Sequence, residues 1–264
     1  MSRANHLEPF VGRAHRTLLI DLMAAGRFDE FDAQIAVYTE NAQRQRVPAD
    51  IYWASALGAS RQLMISPWGE TEELISAAHM IGRHHEQGDA EGTFVLQMFA
   101  LRFQQGRTRE IAKSLGAPAG NQPRISAGLA LAAAALTDSG RHGQAAEILT
   151  RLVTADGVGL APDNMWLGAT ALLAGVAAAV GTPAQRDVVE RALLPYAPSW
   201  CIFGAGAAIF GTGHHWLAKL AAARGDVAEL RTRREAAAAT AREAGADYWA
   251  GLATEAAPEL LTQP

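Results

Sequence analysis

Apolar residues in this chain return every three or four positions, and polar residues fill the positions between them. Stretches such as YWASALGASRQLMI, TFVLQMFALRFQQG and GTGHHWLAKLAA show this period, whereas two-residue alternation of Val, Ile, Thr and aromatic residues is scarce. The pattern predicts helices and little strand. Glycines punctuate it at Gly26, Gly69, Gly106, Gly140, Gly181 and Gly225, separated by 43, 37, 34, 41 and 44 residues. Most follow an apolar helix and precede a polar or capping start, as in AAG-RFDEF, QQG-RTREI and ARG-DVAEL. Each glycine suits the left-handed position just past a helix end. At Thr182-Pro183-Ala184-Gln185 the next helix start is explicit, with a capping hydroxyl, a proline at the first helical position and a glutamine to complete a capping box.

These signals place first helices at residues 10–25, 50–65, 90–105, 124–139, 163–180 and 204–224. Their partners fall at 28–46, 70–87, 108–115, 142–155, 184–195 and 226–245, with a short terminal helix at 246–256. Helix pairs repeating at this period characterise tetratricopeptide (TPR)-like arrays, in which neighbours stack because no single pair buries its apolar stripe alone. The expectation is one all-α domain over residues 1–264, a TPR-like right-handed superhelix of about six antiparallel helix pairs with a concave face. The strict tetratricopeptide consensus is absent.

From Leu193 onward the residues read LLPYA, Gly204, Gly206, Phe210-Gly211, Leu217-Ala218, Ala222-Ala223-Arg224-Gly225-Asp226, Ala228, Gly245-Ala246 and Trp249. Gly26, Phe31-Asp32-Ala33, Ala42, Pro48 and Trp53 precede them in a compatible order. This series resembles the C-terminal helical-repeat region of large bacterial signalling ATPases, the LuxR-type regulators and nucleotide-cyclase-linked ATPases. The resemblance implies a sensor or protein-interaction platform and implies no catalytic residues. The chain departs from that family in lacking a Walker A loop: its only lysines, Lys113 and Lys219, stand outside any glycine-rich phosphate loop. It also lacks room for a separate helix-turn-helix domain.

Composition sharpens the class. Hydrophobic residues make up 49% of 264 positions, 56 of them alanine, and charged residues 19%, which excludes a disordered chain. The net charge of −4, with no basic stripe, argues against nucleic acid as a partner. A single cysteine, Cys201, excludes a disulfide framework and a Cys-based zinc cluster, and reads as an inert buried thiol in the SWCIFG connection. Residues 165–180 form the longest apolar run, too short for a membrane span and rich in small residues, so they read as a helix packed on all sides. With no apolar leader at the N-terminus, a cytoplasmic location is expected.

Candidate chemistry is sparse. His214 and His215 sit within an expected core helix, pointing about 100° apart, so they do not chelate one ion comfortably. One of them is a candidate acid/base or ligand contact, and the plainer alternative is a helix histidine bonded to a neighbour. His84 and His85 precede Gln87-Gly88, where a helix C-terminus favours cationic imidazole. No HExxH motif occurs, and neither a metal nor a cofactor is expected. Gly204-Ala205-Gly206 lacks the strand and acidic residue of a dinucleotide fingerprint. Tyr52, Trp53, Asn164 and Trp166 fall on first helices, which line the groove of such arrays, as do Arg61, Gln97 and Arg102. Arg102 therefore needs either an internal carboxylate or an anionic ligand. Three functions stay open, the first two being a regulatory interaction or sensor protein that binds a protein or small ligand, and a small-molecule binder or enzyme using His214 or His215. A purely structural subunit is a third.

Overall fold

A computed structural model describes residues 8–110 and 123–254. Among them are twelve α-helices and two small antiparallel hairpins, so the protein belongs to the all-α class. The helices are α1 (Glu8–Ala24), α2 (Phe28–Gln45), α3 (Pro48–Ile65), α4 (Thr71–His84), α5 (Ala90–Gln104), α6 (Pro123–Asp138), α7 (His142–Leu152), α8 (Trp166–Val180), α9 (Pro183–Leu193), α10 (Gly213–Arg224), α11 (Val227–Glu243) and α12 (Asp247–Thr254). Strands β1 (Val153–Thr154) and β2 (Gly157–Val158) pair with each other, as do β3 (Trp200–Phe203) and β4 (Ala208–Thr212). Of the helix expected over 108–115, the described residues Thr108–Glu110 form a single 3-10 turn and 111–115 lie outside the described residues, as do 255–256 of the terminal helix and residues 1–7.

The glycine punctuation holds at five of its six positions. Gly26, Gly69, Gly106, Gly140 and Gly225 have φ between 66° and 74°, which an L-residue adopts only with strain. Gly181 is different: its backbone is extended. There the turn is made by the following residues, with the Thr182 side chain accepting from Gln185 N–H and the Gln185 side chain from Thr182 N–H, and Pro183 at the helix start. Asp226 caps α11 in the same manner by accepting from Glu229 N–H at 3.0 Å.

Two expected helices end or begin elsewhere. The helix over 142–155 stops at Leu152, because Val153 and Thr154 are β-branched and Ala155-Asp156 forms a tight two-residue hairpin turn. The larger correction concerns 204–224, whose first nine residues are not helical. Gly204, Gly206 and Gly211 take left-handed φ values, and the segment from Trp200 to Thr212 forms the β3–β4 hairpin. Between the Trp200–Thr212 and Ile202–Ile209 pairs, β4 holds one residue more than β3, a bulge at which Gly211 turns the strand.

That hairpin organises the core. Trp200, Ile202 and Ile209 pack into one apolar cluster, built from α1–α4 and the segment around α12. Cys201, Phe203, Ala208 and Phe210 pack into a second, built mainly from α5–α10. Successive strand residues point to opposite faces, so the hairpin is a wall with one core on each side. Helix α8 backs this wall, and its glycines set the spacing. A Cβ on Gly168 would stand 2.8 Å from the Ile202 carbonyl oxygen, and one on Gly175 would stand 2.6 Å from the Trp216 ring. The small residues of α8 thus let α6, α7, α9, α10 and the hairpin all approach it. Helix α12 returns to pack on α3, within the N-terminal cluster.

Candidate functional site

The residues singled out from the sequence divide between the core, its polar seams and the surface. Tyr52 and Trp53, on α3, are buried in the N-terminal cluster, with Arg16 stacked 4.6 Å from the Trp53 ring centre. Gln97 is 1% exposed and donates to Ala56 carbonyl at 2.7 Å and to Ser60 Oγ at 3.0 Å. Ser60 Oγ donates in turn to Ala207 carbonyl at 2.9 Å, so one polar seam joins α5, α3 and the tip of the β3–β4 hairpin. Arg102 is buried and donates to Glu72 at 2.9 Å, with Glu110 at 3.3 Å and Gln105 at 3.0 Å. These bonds raise its pKa and hold the Glu72 carboxyl below the usual carboxylate range. Arg61 likewise pairs with Asp32 at 2.9 Å, over the Phe28 ring.

Asn164 is exposed in the turn before α8, and Trp166 is half-buried, edge-on to Tyr196 at 5.4 Å. His214 and His215 lie in the first turn of α10 rather than in mid-helix, a consequence of the hairpin that precedes them. His214 Nδ1 is 3.3 Å from an Arg233 guanidinium nitrogen, and burial followed by that charge lowers its pKa. The His215 ring sits edge-to-face with Trp216 and Trp249, at 5.2 and 5.3 Å, and burial holds its pKa well below the ordinary imidazole value. Burial also pushes the Cys201 thiol up, out of the range of a nucleophile at neutral pH.

Of the residues predicted for a site, Trp166 alone lines any of three recesses on the described surface. Its own, of about 490 Å³, is open and framed by Pro162, Asp163, Leu167 and Tyr196. A second, of about 430 Å³, runs along α11 and ends on α12. Val227, Leu230, Arg231, Arg234, Ala238 and Arg242 line it at three-, four- and seven-residue steps, one face of a helix. Arg234 Nε donates to Ala253 carbonyl at 2.8 Å, which ties α11 to α12, and Glu235 is the single acidic residue of the lining.

The third recess, of about 140 Å³, lies where α5, α6, α8 and α10 meet. Phe103, Leu172, Val176 and Trp216 form apolar walls, and Thr137, Asp138 and Lys219 are its polar groups. The Lys219 ammonium stands 5.1 Å from the Trp216 ring centre, within cation–π range. The Lys219 side chain reaches solvent, and packing of the surrounding helices still lowers its pKa by desolvation; Asp138 acts in the opposite direction. Trp216 is fixed by donation from its indole N–H to Phe210 carbonyl and by the missing side chain of Gly175. Asp138 accepts through one oxygen from the Thr108 hydroxyl. The sequence carries a signal for this recess: Lys219 is one of only two lysines, placed inside the apolar run LAKLAA.

No protein-family model, curated protein or solved structure matches this chain. Among the described residues no group of three His, Cys, Asp or Glu side chains is arranged to hold a metal ion, and no helix is long and apolar enough to cross a membrane.

Proposed function

We propose that the chain is a helical-repeat interaction or sensor protein of the TPR-like kind, with a regulatory role exerted by binding. The family resemblance supports this reading and implies the concave face as the contact surface. The single observation that carries it is the α11–α12 groove. In a molecule of net charge −4, three arginines flank an apolar strip that includes Val227, itself 59% exposed. Arginine beside exposed aliphatic surface is the composition of a protein-contact patch, and its charge selects an acidic partner segment.

The test uses a fluorescein-labelled peptide of alternating glutamate and leucine, with a lysine–leucine peptide as control, read by fluorescence anisotropy. The glutamate peptide binds, the lysine peptide does not, and R231E combined with R242E weakens binding at least tenfold. Equal binding of the two peptides, or no response to the substitutions, overturns the proposal. Both arginines are exposed, so the variants keep their fold.

A second reading, a small-molecule binder or enzyme with His214 or His215 as acid/base, draws its support from the Lys219 recess rather than from the histidines. His215 is walled by two indoles, and His214 already faces Arg233.

A further inference from the structure

Lys219 and Asp138 enter one recess from different helices, α10 and α6, and do not meet as an ion pair. The ammonium faces an indole and has no carboxylate at contact distance among the described residues. The carboxylate has one oxygen engaged by Thr108 and shows no described donor on the other. Two opposite charges, both on side chains that reach solvent, line one recess with apolar walls and form a specific template. A simple anion placed there meets the repulsion of Asp138, and a simple cation or metal ion meets that of Lys219. A molecule carrying both charges in the reverse order satisfies both.

We propose that this recess binds a small amino-acid-like zwitterion, its carboxylate on Lys219, its ammonium on Asp138 and its carbon skeleton against Phe103 and Trp216. The inference rests on the small-molecule reading alone and is independent of the α11–α12 groove. The volume of about 140 Å³ corresponds to roughly four or five waters at about 30 Å³ each. That suits glycine, alanine or a short ω-amino acid, and a larger side chain would have to extend through the mouth of the recess. The site is preorganised: the indole is clamped by its bond to Phe210 and by Gly175, and Asp138 is held by Thr108. Preorganised polar groups over apolar walls are the usual composition of a small-ligand pocket.

The experiment is a calorimetric titration of the full chain with glycine, L-alanine, β-alanine and 4-aminobutyrate, with acetate and methylammonium as single-charge controls. At least one zwitterion binds, both controls bind at least tenfold more weakly, and K219M and D138N each reduce the affinity of the bound zwitterion at least tenfold. The Asn side chain keeps the acceptor for Thr108, and Lys219 and Asp138 are both exposed, so both variants retain the helical fold. An independent readout needs no variant. Acetylation of Lys219, followed by mass spectrometry with Lys113 as internal reference, slows when the bound zwitterion is added and is unchanged by acetate. Absence of binding by every zwitterion, equal binding of acetate, or undiminished affinity in both variants overturns the inference. R231E combined with R242E leaves zwitterion binding unchanged, which separates a failure here from a failure of the partner groove.

Discussion

His215 shows how a side chain's surroundings convert into a measurable stability. In the fold, burial disfavours the charged form of its ring, with Lys219 and Arg234 adding repulsion. In the unfolded chain the same imidazole titrates near its ordinary value of about 6.5. Below that pH the unfolded state binds the additional proton, so acidification favours unfolding. Stability should therefore fall as the pH drops below about 6.5, by at most ~1.4 kcal/mol per pH unit for this one group. Urea denaturation across that range checks it, and H215Q should flatten the slope more than H214Q does. A slope unaffected by H215Q would refute the assignment. What the sequence disclosed at this scale was uneven. Arg102 was legible as a charge in an apolar helix that needed a partner, and the structure supplies Glu72 and Glu110. Which acid would answer was not readable, because both lie outside its helix and are brought near only by tertiary packing. Lys219 and Asp138 went unnoticed as a pair for the same reason: 81 residues separate them.

At the level of elements, two helical glycines should respond in opposite directions to the same substitution. An added Cβ at Gly175 of α8 would stand 2.6 Å from the Trp216 ring, whose indole is already held by Phe210. G175A should cost about 1–2 kcal/mol, since overpacking of about 1–3 kcal/mol outweighs a gain of at most ~1 kcal/mol in helix propensity. At Gly128 of α6 nothing lies within 4 Å of the added carbon, so G128A should gain up to ~1 kcal/mol. Thermal melts of the two variants decide it, and shifts of the same sign would show that α8 has more slack than its contacts indicate. Local chemistry made the α8–α9 junction readable: threonine, proline and glutamine at fixed offsets need no tertiary information. The β3–β4 hairpin was hidden because both of its faces are buried. Without alternation of polar and apolar residues, a short apolar strand reads like a piece of core helix. Its glycines were the available signal, since three of them adopt backbone angles that a helix interior does not use.

For the whole molecule, the hairpin ties together two cores that the sequence pattern treated as a simple succession of neighbours. Phe210 contacts Phe99, Phe103 and Phe203 at ring separations of 5.9, 5.9 and 6.1 Å on one side of the wall, while Trp200 meets Phe28 at 5.3 Å on the other. F210A should cost about 3–5 kcal/mol. It should lower the stability of both cores at once, so that tryptophan fluorescence and far-ultraviolet circular dichroism still change together on denaturation. Two separated transitions would mean that the wall divides the cores without coupling them. The position of this wall in the chain has a further consequence, for synthesis. The ribosome delivers α1–α4 long before residues 200–212, Thr212 lying 128 positions after His84. At about 5–20 residues per second that interval lasts roughly 6–25 seconds. For that time the apolar faces that Trp200, Ile202 and Ile209 will cover have no partner, and the nascent α1–α4 segment is a natural client for a holding chaperone.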